Sequence, residues 1–514
     1  MAQSQYEYVI IGAGHNGLVA AAYLAKKGKR VLVLERREIV GGQVVTESFG
    51  EGLVVDSLHA GGTLRPDIIK DLKLSLPAAG ERKPFISLQP FGAAQGKPDS
   101  NSLILDPDPI KASESIQKFS SKDAANWKPF LDFMDKASRF IHAANETIMP
   151  QLPKNFSLAE GYGLAELGLD LLLMGGKDMM RIIRGIPMTA EEFVDEWFES
   201  ETVKAAVASL GIHGFTLGPM GAGTGYTLMH NWANRGGLSL TPTPSPSGRG
   251  ESGGIGQVSE ALANAVKSFG GEIRLNAEVA SIKVENLIAK GVVLKNGEET
   301  SADIVISAAD PKHTLLKLVG ARELPPEFIW NVQSIKMRGS VAKVHLLTAG
   351  NHGIPDGTVA LAPSIKYLEK AYDAAKYHQI SEEPYLEVTT SGNVVSIHFQ
   401  FAPYSLKTGD WKLETGKVEK LALDTLAEYF PNLKSQVSAI KTITPKDLEE
   451  TYGLTEGDLN HGQLMLDQFM FMRPLPGWSN HKTPIDNLYL CGSGVHGGGG
   501  ISGAAGRNVV KVIL

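Results

Sequence analysis

The chain has 514 residues, a formal net charge of −6, 43% hydrophobic and 21% charged residues. That length calls for two or three domains, and the composition is that of a packed globular protein rather than a disordered one. The acidic balance excludes the basic footprint of a nucleic-acid binder, and the single cysteine, Cys491, excludes a disulfide framework, a paired redox centre and a cysteine-rich metal site.

The N-terminus runs directly into a strand. It lacks the charged and apolar regions of a secretory leader, and no uncharged apolar run reaches spanning length. A cytoplasmic chain is expected, with peripheral membrane contact and oligomeric state left open. Residues 8–11 form a short apolar run of the kind that makes a buried parallel strand. Gly12, Gly14 and Gly17 follow, then a compact helix pattern over 18–25, a stop at Gly28, and a second strand over 30–34 ending at Glu35. Each part has a physical task in holding a dinucleotide. Gly12 permits the tight turn, Gly14 admits the pyrophosphate to the backbone, and Gly17 allows close helix–strand packing. The helix N-terminus offers free N–H groups to phosphate, and Glu35 is spaced to accept from a ribose hydroxyl. Gly41 and Gly42 add a second backbone loop able to approach the pyrophosphate.

Beyond residue 75 the pattern becomes helical, with amphipathic stretches over 125–144 and 189–210. The leucine-rich stretch 163–174 reads as a buried helix, the alternatives being a cap on an apolar tunnel or a membrane contact. Residues 241–248 form a Pro/Ser loop expected to be extended and exposed. Gly253, Gly254 and Gly256 then open a helix over 257–269. Strands follow over 272–275, 277–284, 287–294 and 303–307, with a hairpin turn at Asn296-Gly297. A last strand over 487–491 leads into Gly492, Gly494 and the run 497–500, with a helix beginning near Ser502. Glycine-rich turns into helices near both ends of the chain fit a cofactor domain assembled from separated segments.

The blocks VIIGAGHNGLVAAAYLAKKGKRVLVLERREIVGG, GGIGQVSEALANAV with GEIRLNAEVASI and ADIVISAADP, TPKDLEETYGLTEGDLNHGQLMLDQFMFMRP, and LYLCGSGVHGGGGISGAAGRN stand in order along nearly the whole chain. Together they resemble the phytoene desaturase-like branch of the amine oxidase flavoprotein superfamily, and within it the pyridine nucleotide-disulfide oxidoreductase domain-containing protein 2 group. The resemblance implies an α/β fold: a Rossmann-like FAD-binding domain built from discontinuous segments, with an α+β substrate domain. The cofactor segments would be 1–75, 250–325 and 456–514, the helical substrate domain 76–249 and its sheet part 326–455. It implies further that Gly12, Ala13, Gly14, Asn16 and Gly17 hold the pyrophosphate and that Glu35 with Arg36 hold the adenosine half. Gly42 and Gln43 would touch phosphate, Val279 would present its backbone to adenine, and Gly492, Ser493, Gly500, Ile501 and Ser502 would approach the ribityl chain and flavin. The chain departs from the family pattern at Val495 and Gly497, where Thr and Pro are common, and at Gln463, where an acidic residue is usual.

Flavin chemistry needs no metal, and neither HExxH nor a carboxylate–histidine cluster with ligand spacing occurs. His59, His230 (beside Asn231) and His496 are the candidates for proton handling, each weighed against a structural role, and Arg65 is a candidate for a substrate carboxylate. The expected function is an FAD-dependent oxidoreductase, a desaturase, dehydrogenase or oxidase. It would take hydride from an apolar, polyene, cyclic or amine small molecule and pass electrons to oxygen or a quinone. A redox-neutral flavin isomerase and a flavin-bound interaction protein are the alternatives; a disulfide reductase is disfavoured by the lone cysteine and the lack of a second dinucleotide fingerprint.

Overall fold

The computed structural model describes residues 5–50, 52–58, 62–77, 81–89, 102–152, 158–238 and 254–514. His59 and the Pro/Ser loop lie outside the described residues. Five parallel strands form the first sheet, in the spatial order Glu272–Arg274, Val31–Leu34, Tyr6–Ile11, Glu299–Ser307, Leu488–Leu490. In chain order this is 3-2-1-4-5, so the direction of winding reverses beside the first strand, where doubly wound sheets open a ligand crevice. The register aligns Leu34 and Ser307 with Ile11, and Leu490 with Ser307. The residues that follow these strands therefore emerge together at one edge.

The helix His15–Lys26 leaves that edge and packs with Gly256–Ser268 and Ala504–Ile513 over one face, burying Leu18, Val19, Leu262, Val266 and Val509. Gly506 permits the approach, because a Cβ there would collide with the carbonyl oxygen of Asn16. The strand Glu299–Ser307 serves two layers. Its second half pairs in the parallel sheet, while its first three residues pair antiparallel with Ile288–Leu294, which in turn pairs with Val279–Glu285. The short hairpin Thr46–Ser48/Val54–Asp56 closes the start of the helix Gly256–Ser268. There Asp56 accepts the N–H of Ile255 at 3.0 Å and Thr46 that of Gly256 at 3.0 Å.

The second sheet runs Val437–Ile443, Val341–Thr348, Val394–Gln400, Leu386–Ser391, Thr358–Ala360, Phe85–Ser87, Leu103–Leu105. Only the Thr358–Ala360 and Phe85–Ser87 pair is parallel. The helix Trp411–Tyr429 covers one face through Val418, Ala422 and Leu426. A helical layer built on Ser121–Glu146, Glu201–Ile212 and Thr224–Arg235 joins it, around Trp127, Phe130, Phe133, Trp197 and Trp232. A Rossmann-like, doubly wound domain with an α+β partner domain is thus the fold of the chain.

Two expectations change. The stretch 189–210 is not one helix but two, Ala190–Asp195 and Glu201–Ile212. The break follows from Asp123, buried on the neighbouring helix, whose carboxylate accepts the N–H groups of Glu199 at 2.8 Å and Ser200 at 2.9 Å. The N–H groups just ahead of the second helix thus find their acceptor outside their own segment, which fixes where the chain restarts as helix. The leucine-rich stretch is helical, Leu158–Leu173, but not buried. Leu167 packs into the core, while Tyr162, Leu169, Leu172 and Leu173 are exposed. Leucines stand on several sides of this helix, and among the described residues only one side is covered by neighbours.

Candidate cofactor and active site

The carboxyl edge of the parallel sheet opens into a cavity with about 990 Å³ of empty space, part of it open to solvent. Of the residues expected at the cofactor, Gly12, Gly14, Asn16, Glu35, Arg36, Gly42, Gln43, Val279, Gly492 and Ser493 line it. Sequence segments more than 450 residues apart therefore meet in one wall, carried there by strand register.

The turn out of the first strand needs glycine for distinct reasons. Gly12 has φ 93°, in the left-handed region. Gly17 must lack a side chain because a Cβ would strike the carbonyl oxygen of Gly12 and come within 3.1 Å of Ala308. Gly14 differs: its φ is −66°, and a Cβ there would meet no protein atom within 4 Å. Its space faces the cavity. As N-cap of His15–Lys26 it supplies no side-chain acceptor, so the first N–H groups of that helix stay available to a ligand. The second glycine pair lies against this loop. Gly41 donates to the carbonyl of Ala13 at 2.9 Å, and a Cβ on Gly42 would sit 3.2 Å from the Cα of Gly14.

Glu35 is buried, accepting the N–H of Ala13 at 2.8 Å through one oxygen and that of Arg37 at 2.9 Å through the other. Its backbone carbonyl accepts from Ala277 at 2.8 Å, which brings the start of Val279–Glu285 beside it. Arg36 reaches the cavity wall, yet its guanidinium donates to the carbonyls of Glu450 at 2.9 Å and Thr451 at 2.6 Å. Gln43 donates to the carbonyl of Leu459 at 2.9 Å.

Ala13, Gly17, Gly500, Ile501 and Ser502 do not line the cavity. Ala13 is buried within the turn, donating its N–H to Glu35, and Gly17 packs against the Gly12 carbonyl and Ala308. Gly500, Ile501 and Ser502 precede the helix Ala504–Ile513, and a Cβ on Gly500 would lie 3.0 Å from Asn234. His230 is buried on Thr224–Arg235 beside the same glycine run, where a Cβ on Gly499 would approach its Nε2 to 2.6 Å. Burial pushes the pKa of His230 down to about 3, and that of His496 to about 4, so both are neutral at ordinary pH. His496 Nε2 lies 2.8 Å from the carbonyl oxygen of Ala144, a tie between the terminal loop and a helix end. Asn231 is likewise engaged, donating to the carbonyls of Leu210 at 2.7 Å and His213 at 3.0 Å. Arg65 is held by Asp67 and Glu146 and is not offered to a substrate carboxylate.

Sequence reading passed over His15, His461 and the segment Tyr452–Leu454, all in the cavity wall. His15 Nε2 and His461 Nδ1 are buried without a protein hydrogen-bond partner among the described residues. Buried polar atoms are nearly always paired, so two orphans in one wall mark where a polar ligand belongs. Arg473 was also missed. Its buried guanidinium donates to the carbonyls of Asn460 at 2.7 Å and Ser493 at 2.8 Å, pinning the 460–462 turn to the terminal glycine block. The only signal was the block that contains these residues, since their partners are remote in sequence. A glycine cradle, an uncapped helix start, a buried acid at the second strand and orphaned donors or acceptors fit FAD.

The flavin containing amine oxidoreductase family pattern matches residues 89–514, and the NAD(P)-binding Rossmann-like pattern matches residues 10–62. The chain is 30% identical to pyridine nucleotide-disulfide oxidoreductase domain-containing protein 2 of Rattus norvegicus, over 99% of this chain and 93% of that one. It is 25% identical to the lycopene-forming phytoene desaturase of Pantoea ananas, over 97% and 96% of the two chains. An oxidoreductase from Methanosarcina mazei has a similar fold, with a TM-score of 0.61 at 17% identity, over 98% of this chain and 99% of that one. The chain belongs to the flavin-containing amine oxidoreductase family and is an FAD-dependent oxidoreductase of the amine oxidase and phytoene desaturase superfamily, related to the pyridine nucleotide-disulfide oxidoreductase domain-containing protein 2 group.

Proposed function

We propose that the chain takes a hydride equivalent from a C–H bond of a largely apolar small molecule, with oxygen or a quinone as the final electron acceptor. When bound, FAD supplies the hydride acceptor. The observation that carries this reading is that the residues beside the terminal glycine run offer a charged substrate no side chain free to pair with it. His230 is desolvated and uncharged, and it is packed beside Gly499 and near Leu464. Arg473, the buried cation nearby, is occupied by backbone carbonyls. Such a wall suits an uncharged substrate and a hydride step that asks no side chain to hold a charge. The relative from Pantoea ananas, named a phytoene desaturase, fits the same chemistry.

In this reading Gly12, Ala13, Gly14, Asn16 and Gly17 frame the pyrophosphate site, with Gly42 and Gln43 opposite. Glu35 keeps lone pairs for a ribose hydroxyl beyond the two N–H groups it accepts. Val279 borders the adenine, and Gly492 and Ser493 the ribityl chain. Gly500, Ile501 and Ser502 support the flavin ring from behind. Residues 1–75, 250–325 and 456–514 make the cofactor domain, and 76–249 with 326–455 the substrate domain. The shared sheet of Phe85–Ser87 and Thr358–Ala360 supports joining those last two segments.

No helix among the described residues is long and apolar enough to cross a membrane. The exposed Tyr162, Leu169, Leu172 and Leu173, with Met180 and Ile183 on the next helix, instead offer an apolar face. A patch of this kind supports contact with a lipid surface from which an apolar substrate would be drawn, and we read the enzyme as cytoplasmic and peripheral to a membrane.

The test is to purify the protein from riboflavin-replete cells, release the cofactor by heat and identify it, then screen apolar substrates for anaerobic bleaching of the flavin. Bleaching that reverses on admitting air or quinone supports the proposal. A flavin that no substrate bleaches favours the interaction-protein reading, and product isomerisation without lasting bleaching favours an isomerase.

A further inference from the structure

Between the helical layer and the turn that carries His461, a second and smaller cleft is lined by Phe215, Thr216, Leu217, Thr227, Gln463 and Leu464, with neighbouring backbone. One short run of chain supplies residues to both this cleft and the cofactor cavity. His461 walls the large cavity, and Gln463 and Leu464 wall the small one. Leu464 lies 3.2 Å, and His230 2.6 Å, from where a Cβ on Gly499 would stand, so the cleft lies beside the terminal glycine run.

Two polar atoms are buried here without a protein partner among the described residues: Thr216 Oγ1 and Gln463 Nε2. Gln463 is only 4% exposed, and none of the residues lining the cleft is charged. A pure hydrocarbon would leave both polar groups unsatisfied. An ammonium would find no counter-charge. A carboxamide and a hydroxyl together offer donors and acceptors to one neutral oxygen.

We infer that Gln463 and Thr216 recognise a hydroxyl or carbonyl oxygen on an otherwise apolar substrate, so that the enzyme selects oxygenated apolar molecules over hydrocarbons and amines. This rests on the proposed function and narrows it to a substrate class. Gln463 thereby sets specificity rather than transferring a proton.

The experiment titrates the oxidised holoenzyme with one carbon skeleton in four forms: limonene, perillyl alcohol, perillaldehyde and perillylamine, read as perturbation of the flavin spectrum. The alcohol and aldehyde should bind about tenfold more tightly than limonene or the amine, the discrimination expected of a hydrogen bond with an otherwise orphaned partner. Gln463→Leu should erase that preference by weakening the alcohol and aldehyde and tightening limonene, and Gln463→Glu should move the preference to perillylamine. Equal affinity for limonene and the alcohol, first preference for the amine, or no perturbation by the oxygenated probes overturns this inference alone. Protein that purifies without flavin overturns the reading beneath it.

Discussion

Glu35 accepts the backbone N–H of Ala13 at 2.8 Å, tying the end of the second strand to the glycine turn that follows the first. Its other oxygen takes the N–H of Arg37 at 2.9 Å, so one carboxylate shapes two loops of the cofactor cavity. Glu35→Gln keeps one acceptor but turns an N–H donor toward another N–H. Charge-assisted bonds are about twice as strong as neutral ones, and the buried donor is left unpaired. FAD affinity should fall by about tenfold or more. Titration of the apoprotein with FAD, followed by quenching of flavin fluorescence, measures it; an unchanged affinity would remove Glu35 from the site.

Gly14 and Gly17 separate binding from folding. An alanine at position 14 meets no protein atom and keeps an ordinary backbone conformation, but its methyl enters the space facing the cavity. Gly14→Ala should give a folded apoprotein of unchanged melting temperature that no longer retains FAD. An alanine at 17 collides with the Gly12 carbonyl oxygen, which a packed core cannot relieve cheaply. Gly17→Ala should destabilise the apoprotein by about 1–3 kcal/mol, as overpacking does, seen in its thermal unfolding. Equal behaviour of the two variants would contradict the division.

This contrast also marks what could be read in the sequence. The N-terminal unit was legible because its strand, turn, helix and acid are consecutive, and each residue's reason lies within about one turn or strand of it. The terminal glycine block was legible as a turn, but only strand pairing shows that Gly492 and Ser493 reach the cavity while Gly500, Ile501 and Ser502 stand behind it. Arg473 was not legible at all: the carbonyls it serves, Asn460 and Ser493, are ordinary residues whose meeting is a tertiary fact. The leucine-rich helix was misread for a related reason. Periodicity says which residues could be buried, not whether a partner exists to bury them.

Asp123 holds the restart of a helix that is not its own. Its carboxylate takes the N–H groups of Glu199 and Ser200 while its own N–H donates to Ser120 at 3.1 Å. Asp123→Ala should cost about 1–3 kcal/mol, because the N–H groups of Glu199 and Ser200 both lose a charged acceptor. Asp123→Asn, which retains one acceptor, should recover part of the loss. Chemical denaturation of the two variants tests the order, and Asn at or below Ala would refute it.

Leu172 and Leu173 are 62% and 75% exposed at the end of the leucine-rich helix. Replacing both with glutamate should leave flavin content and thermal stability unchanged, since little packing is lost. Co-sedimentation with anionic lipid vesicles should fall by about tenfold or more, the apolar contribution of two leucines at an interface. Vesicle binding that survives the double substitution would exclude this face as the contact.

Lys343 lies buried with its ammonium nitrogen 2.9 Å from Nδ1 of His398, whose Nε2 faces the Gln400 side-chain oxygen at 2.8 Å. Glu387, paired with Arg235 and 3.2 Å from Nδ1 of His213, completes the charged surroundings. Burial pushes the Lys343 pKa down to about 7 from 10.5, with Arg235 adding to the fall and Glu387 opposing it. The folded protein therefore binds this proton only below about pH 7, while the unfolded chain keeps it up to about 10.5. Between those values the unfolded state holds more protons, so this group makes stability rise with pH. The shift corresponds to a penalty on the order of 5 kcal/mol in acid. Lys343→Met removes that penalty but leaves His398 Nδ1 without its donor, at a cost of about 1–3 kcal/mol. The variant should thus unfold at a higher temperature than the wild type at about pH 6, lose its advantage as pH rises, and become the less stable protein near pH 10. Calorimetric scans of both proteins across that range decide it. A constant difference at every pH would show that Lys343 does not titrate in the folded protein as its burial demands.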